Sequence, residues 1–300
     1  MTDIVLLDGG MGQELIARSA HPPSPLWSAN VMMQEPDIVE AVHREYIKAG
    51  ATVLTLNAYS ATPERLARDA SEELFEPLQA KALEIAQVAR VGRQVTVAGC
   101  LPPLFGSYHP EKAPDFDVCF ATYQRVVKQQ ADGVDVFLCE TLSSVREVKA
   151  AVAAGVESGK PVWCGMSVLD QDGTKLRSGE ALQDAAQAAK DAGASALLIN
   201  CSWPEAVTQG QVVLAKFGLP HGGYANGFTN AAADLALGGT VDQMGKRTDL
   251  GPDQYADHAM AWISAGATIV GGCCEVGPAH ISRIAERLRA SGHQIVGTLQ

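Results

Sequence analysis

The chain has 300 residues, 47% hydrophobic and 19% charged, a composition that excludes a disordered or fibrous protein. Its 34 acidic side chains against 23 basic ones leave a net charge of −11, the wrong sign for gripping a nucleic-acid backbone. No apolar run nears the roughly 18 residues that span a bilayer, and MTDIVLLDGG has no basic segment ahead of a long apolar one, so we expect a cytoplasmic protein without membrane or nucleic-acid partners.

In chain order, short aliphatic runs alternate with amphipathic stretches. The runs are IVLLD (4–8), TVLTLN (52–57), VTVAG (95–99), VDVFLCE (134–140), PVWCGMSV (161–168), SALLIN (195–200), HGGYAN (221–226) and TIVGG (268–272). Helical periodicity covers Asp37 to Lys48, Pro63 to Arg90, Asp115 to Ala131, Ser143 to Glu157, Glu180 to Asp191, Pro204 to Lys216, Asp253 to Ser264 and Pro278 to Ala290. Four junctions, AGATVL (49–54), ADGVDVF (131–137), AGASALL (192–198) and AGATIV (265–270), place a glycine where a helix ends and a strand begins. Eight such units with no linker between them predict one α/β domain over residues 1–300, a single (β/α)8 TIM barrel. Gly222 and Gly223 make the seventh strand the weakest.

A barrel of this kind carries its chemistry at the C-terminal ends of its strands. Those ends present Asp8-Gly9-Gly10, Asn57 with Tyr59, Gly99-Cys100, Glu140-Thr141, Ser167, Asn200-Cys201, Asn226 and Gly271 to Cys274. The stretch from Asn226 to Pro252, with Gly238 and Gly239, is long enough to serve as a lid.

Seven cysteines, an odd number in a chain large enough to build its own core, read as thiols rather than a disulfide framework. Cys119, Cys139 and Cys164 read as small buried hydrophobes. Cys273 and Cys274 are adjacent at the end of the eighth strand, where Gly271 and Gly272 allow an irregular turn, and Cys201 ends the sixth strand on the same rim. Three thiolates plus one open position are the pattern of a catalytic zinc, with Cys100 left open as a fourth ligand. Zinc with three thiolates carries a net charge of about −1, which makes it a poor Lewis acid but a good holder of a substrate thiolate. Alkyl transfer to a thiol follows more naturally than hydrolysis, although cysteine-held zinc also activates water in deaminases.

The segments LDGGMGQEL (7–15), PLWSAN (25–30), VHREYIKAGA (42–51), NAYSAT (57–62), CETLSSVREVKAA (139–151), LLINCSWPEAV (197–207) and GGCCEVGPAHI (271–281) are similar to those of the homocysteine S-methyltransferases. The resemblance runs through nearly the whole chain, and GGCC with an upstream Asn-Cys is its specific element. It implies zinc held by Cys201, Cys273 and Cys274, Asp8 and Glu140 on the amino end of homocysteine, and the Gly9-Gly10-Met11 turn on its carboxylate. It implies a supporting role for Asn200 beside the first ligand and a place for Tyr59 near the methyl donor.

Methyl transfer to L-homocysteine, giving methionine, is the activity expected from this resemblance. The partners would be homocysteine and a small donor with its methyl group on a positive centre. The aromatic residues Trp27, Tyr59, Phe105 and Tyr108 offer such a cation a surface. A sulfonium such as S-methylmethionine is the better leaving group, and the compact length fits the sulfonium branch. Betaine and a methylcorrinoid are alternative donors, another thiol or selenol an alternative acceptor, and a non-catalytic zinc holder a rival of a different class. The segments GYANGFTNAA (223–232) and AGCLPPLFGSYHPEK (98–112) depart from the family pattern where the donor would bind.

Overall fold

The computed structural model describes residues 2–230, 239–240 and 244–299. Its strands are β1 (Asp3–Leu6), β2 (Val53–Thr55), β3 (Thr96–Leu101), β4 (Val136–Leu142), β5 (Val162–Met166), β6 (Val168–Leu169), β7 (Asp172–Leu176), β8 (Ala196–Asn200), β9 (His221–Tyr224), β10 (Ile269–Val270) and β11 (Gln294–Val296). Nine of these form one curled parallel sheet in the order β11-β1-β10-β9-β8-β5-β4-β3-β2, and β6 and β7 make a separate hairpin. Each of the eight aliphatic runs contributes a strand to the large sheet. The architecture is α/β, a curled parallel sheet with helices between its strands.

Both faces of the sheet are buried, which is why its strands read as aliphatic throughout. Side chains alternate along each strand. Val5, Leu7, Val136, Leu138, Ala196 and Leu198 join Trp163 and Ile269 in one cluster, on the concave face. Ile4, Leu6, Phe137, Leu197 and Ile199 join the larger cluster shared with the helices. Cys119, Cys139 and Cys164 lie in that larger cluster, as packing thiols should.

The helices Pro36–Ala49, Phe116–Gln130, Val145–Val156, Leu182–Asp191, Pro204–Leu214, Pro252–Ser264 and Pro278–Ala290 fall where the periodicity predicts them. Gly50, Gly193 and Gly266 take the left-handed conformation expected where a helix hands over to a strand. Gly133 instead closes a short 3-10 turn, Ala131–Gly133.

The long helix expected from Pro63 to Arg90 is broken. It runs Pro63–Asp69, stops, and resumes after a 3-10 turn as Phe75–Ala89. Ser71 caps that turn by accepting from the Glu73 N–H, and Pro77 sits in the first turn of the second helix, where a missing N–H costs nothing. The periodicity overlooked two helices after β1, Met11–Arg18 and Ser28–Gln34, together with the hairpin and β11. Among the described residues no helix is long and apolar enough to cross a membrane.

The glycines of the seventh aliphatic run have a steric purpose. A Cβ on Gly222 would run into the backbone carbonyl of Ile269 on β10, and one on Gly223 would lie 2.5 Å from a Val207 methyl. Low strand propensity is accepted here because only a glycine lets β9 sit this close to its neighbour. Gly222→Ala should therefore destabilise the protein by about 1–3 kcal/mol, read as a lower urea midpoint. A loss under about 0.5 kcal/mol would mean that the two strands part easily.

Candidate active site

The C-terminal strand ends bring Cys201, Cys273 and Cys274 together, their sulfur atoms all within 4.8 Å of one another. Cys201 follows β8, and its N–H donates to the Tyr224 carbonyl at 3.1 Å. Cys273 donates its N–H to Ala225 at 2.9 Å, and Gly227 donates to the Cys274 carbonyl at 2.9 Å. The segments after β8, β9 and β10 are thus laced by main-chain bonds before any side chain acts. The Asp8-Gly9-Gly10 turn packs directly on this lacing. A Cβ on Gly10 would lie 2.5 Å from the Cys273 carbonyl oxygen, and one on Gly9 would strike that of Val276.

Cys201 has further partners. The Tyr108 hydroxyl lies 2.9 Å from its sulfur and the Asn226 amide 3.9 Å away. Contacts with the neighbouring thiols Cys273 and Cys274 hold the Cys201 thiol well below its ordinary range, so the cluster stabilises a thiolate. Three convergent thiols of this kind suit a soft metal ion. Cys100 stands apart, its thiol donating to Glu140 Oε2 at 3.1 Å, and does not belong to the sulfur cluster.

Two carboxyl groups, the buried Asp8 and the half-buried Glu140, border the same cavity. Asp8 accepts from the Thr55 N–H at 2.8 Å and the Thr55 hydroxyl at 3.1 Å, yet burial pushes its carboxyl up to about 7. Burial pushes Glu140 up to about 8, with the nearby Asp8 adding to the effect. Neither carboxyl has a basic partner within ion-pair distance among the described residues. A cationic group entering between them would relieve both.

The other expected residues have the following surroundings. Gly9, Gly10, Met11 and Tyr59 line the cavity. The Gly10 N–H donates to Val276 at 2.9 Å, the Met11 N–H to Gly9 at 2.8 Å and the Glu14 N–H to Gly10 at 3.2 Å, which leaves the Gly9, Gly12 and Gln13 amides as the candidates to bind an anion. Asn200 contacts no sulfur. It clasps Thr141, accepting from its N–H at 2.8 Å and donating to its hydroxyl at 2.9 Å, and so fixes the backbone beside Glu140. Tyr59 bonds Ser107 at 2.8 Å, meets Trp27 edge to face, and carries the Arg65 guanidinium over its ring at 5.1 Å. Trp27 and Tyr108 also line the cavity, whereas Phe105 does not. Of the expected lid, residues 231–238, with Gly238, and 241–243 lie outside the described residues, while Gly239 borders the cavity.

Sequence reasoning overlooked Arg65, Ser107, Tyr224 and Phe228, all of which line the cavity. Arg65 sits among charged neighbours in ERLARD and reads as part of a solvated face. Tyr224 carried a usable signal, since it ends a strand on the catalytic rim. Backbone strain also marks the site. Five non-glycine residues have positive φ among the described residues, namely Trp27, Tyr108, Thr141, Cys201 and Glu275. Four of them line the cavity and the fifth follows Cys274. Such conformations cost free energy and persist only where the surroundings enforce them.

Residues 5–288 match the family described as homocysteine S-methyltransferase. The chain belongs to that family, and so to the methyltransferases. Among its relatives is the homocysteine S-methyltransferase of Escherichia coli, 30% identical over an alignment that covers 95% of each chain. Homocysteine S-methyltransferase 4 of Zea mays is 27% identical, covering 95% of this chain and 89% of its own. In three dimensions the chain is similar to the metallated form of the homocysteine methyltransferase MmuM from Escherichia coli, with a TM-score of 0.79, 29% identity and coverage of 95% and 96%.

The two carboxyl groups give the ligand-free protein a defined pH response. Each holds its proton more tightly folded than unfolded, where it titrates near pH 4. The stability this contributes is complete below about pH 4 and is lost as pH rises through about 7 for Asp8 and about 8 for Glu140. Urea unfolding of ligand-free protein should show stability falling between about pH 5 and 8, and Asp8→Asn and Glu140→Gln should each flatten the decline. An unaltered slope in both variants would contradict the raised values.

Proposed function

We propose that this chain transfers a methyl group from a sulfonium donor, S-methylmethionine or a close relative, to the thiolate of L-homocysteine, giving methionine. The observation that carries this reading is the convergence of three thiols and two carboxyl groups without a basic partner on one cavity. We take the metal to be zinc, held by Cys201, Cys273 and Cys274, because three thiolates suit it and the donor set leaves one position for substrate sulfur. Bound there, zinc would bring a substrate thiol to its thiolate while leaving that sulfur electron-rich.

The chain's own residues do the rest. Tyr108 and Asn226 donate to the Cys201 sulfur and temper the charge gathered on the three ligands. Asp8 and Glu140 grip the homocysteine ammonium with charge-assisted hydrogen bonds, which fixes where the sulfur must lie. The substrate carboxylate faces the Gly9-Gly10-Met11 turn, where the helix Met11–Arg18 begins. Thr55 and Cys100 orient the two carboxyl groups, and Asn200 holds Thr141 behind Glu140. Trp27, Tyr59, Tyr108 and Phe228 wall the donor side, excluding water and offering ring faces and edges to a methylated cation. Orientation for in-line displacement is the protein's main contribution to rate.

We further take the curled sheet to be a closed (β/α)8 barrel within one domain. Leu7 bridges to Val53 in parallel register, the Thr52 N–H donates to Leu6 at 2.8 Å and the Asp8 N–H to Val53 at 3.1 Å, joining β1 to β2 across the sheet's ends. A reducing cytoplasm suits seven free thiols, three of which must stay reduced to hold metal.

Protein purified without chelator should carry close to one zinc per chain by elemental analysis. Cys273→Ser, checked for folding by circular dichroism, should lose it, and full retention would remove Cys273 from the ligand set. Glu140→Ala should raise the KM for homocysteine roughly tenfold to a hundredfold, since a charge-assisted hydrogen bond is worth about 1.5–3 kcal/mol, while zinc content stays unchanged. Loss of zinc instead would reassign Glu140 to the metal. The reading as a whole is tested by methionine formation from homocysteine with S-methylmethionine, dimethylsulfoniopropionate, betaine or a methylcorrinoid protein. Turnover confined to betaine or to the corrinoid would overturn the sulfonium, and no turnover with any donor would overturn the transferase reading.

A further inference from the structure

Arg65 is a buried cation without a counter-ion. It sits in the helix Pro63–Asp69, is 9% exposed, and borders the same cavity as the sulfur cluster. Its Nη2 makes the only hydrogen bonds of the guanidinium among the described residues, to the Pro103 carbonyl at 3.1 Å and Ser107 Oγ at 3.4 Å. Its Nε is buried with no partner. No carboxylate lies within ion-pair distance of it among the described residues, and the nearby Asp69 is engaged by Arg68 at 2.6 Å. Contrast Arg177, also buried at the rim, which is paired with Asp170 by two hydrogen bonds of 2.9 Å each. Burying a guanidinium without an anion is expensive, and the Tyr59 ring beneath it offsets only part of the cost.

The position of this charge bears on what the cavity accepts. Arg65, Tyr59, Ser107 and Tyr108 form one wall, and Tyr108 reaches the Cys201 sulfur. Asp8 and Glu140, which take the homocysteine ammonium in the reading above, follow β1 and lie on β4, whereas this wall comes from the segments that follow β2 and β3. A donor that carries only a positive centre would meet a buried positive charge here. A donor that also carries a carboxylate would supply the missing counter-ion, and the planar guanidinium is shaped to take both its oxygens.

We propose that Arg65 is the specificity residue of the donor side, its guanidinium binding the carboxylate of a zwitterionic methyl donor and so setting the methylated centre toward the sulfur cluster. This rests on the methyl-transfer reading above. In the transfer the homocysteine thiolate forms a bond to the methyl carbon as the methyl–onium bond breaks. The electron pair of that bond leaves on the donor heteroatom, which departs neutral, and the carboxylate held by Arg65 is unchanged throughout.

The test compares donors that differ only in this group, namely S-methylmethionine, dimethylsulfoniopropionate and betaine, each against its own methyl ester. With wild-type enzyme the acid of the pair that turns over should exceed its ester in kcat/KM roughly tenfold to a hundredfold. In Arg65→Gln the donor KM should rise by a similar factor and the preference for the acid should disappear, with homocysteine KM and zinc content unchanged. Equal use of acid and ester by wild type would overturn the proposal. So would a rise confined to the homocysteine KM, which would put Arg65 on the other substrate. Should Arg65→Gln fail to fold, the wild-type comparison decides alone. Should no donor turn over, the transferase reading has failed, and calorimetric titration of the same pairs into wild-type protein still tests Arg65: tighter binding of the acids upholds it, and equal binding refutes it.

Discussion

Everything at this site depends on how closely the Asp8-Gly9-Gly10 turn packs against the backbone of Cys273 and Cys274. With the turn in van der Waals contact with the Cys273 carbonyl, the ends of β1 and β10 act as one unit. Cys201 is brought to that unit by its own backbone bond to Tyr224 and by a positive φ that turns its side chain toward the two neighbours. A side chain on either glycine would push the end of β1 away from that of β10. The carboxyl of Asp8 would then lose its registration with the sulfur atoms, so the same contact governs the cluster and the group beside it.

The electrostatics follow from burial rather than from net charge. An acidic chain would be expected to keep its carboxylates ionised at the surface, yet Asp8 and Glu140 line a cavity whose low polarity favours their protonated forms. Across the cavity Arg65 is held as an uncompensated cation. Among the described residues no ion pair joins it to either carboxyl group, although all three line the same cavity. A cavity lined by acids and a base that are each without an ion-pair partner is organised for ligands that bring the missing charges. Its interior sulfurs are coated by Tyr108, Phe228 and Met244, which keeps water from competing for the polar groups.

Strain and order are also linked. Thr141 is β-branched and has a positive φ, a combination that the chain adopts only because Asn200 bonds both its amide and its hydroxyl. Asn200 thereby couples the end of β8, which carries Cys201, to the end of β4, which carries Glu140. The sulfur site and the carboxyl site are in this way registered to each other through one side chain that touches neither ligand group.

The sequence by itself determined the alternation of strands and helices, because burial on both faces leaves aliphatic runs that no other environment would produce. It also marked Cys201, Cys273 and Cys274, whose positions at strand ends are fixed once the strands are found. It did not show the break after Asp69 or the hairpin after β5, which depend on local capping and turn chemistry that helical periodicity averages over. Nor could it show what Asn200, Arg65 and Tyr224 touch, since those contacts join segments far apart in the chain. Arg65 reads as a solvated charge until the packing of residues 103–108 over it removes the water. That Cys100 serves Glu140 rather than the sulfur cluster was likewise decided only in three dimensions, by which face of β3 its side chain leaves and which neighbour it meets there.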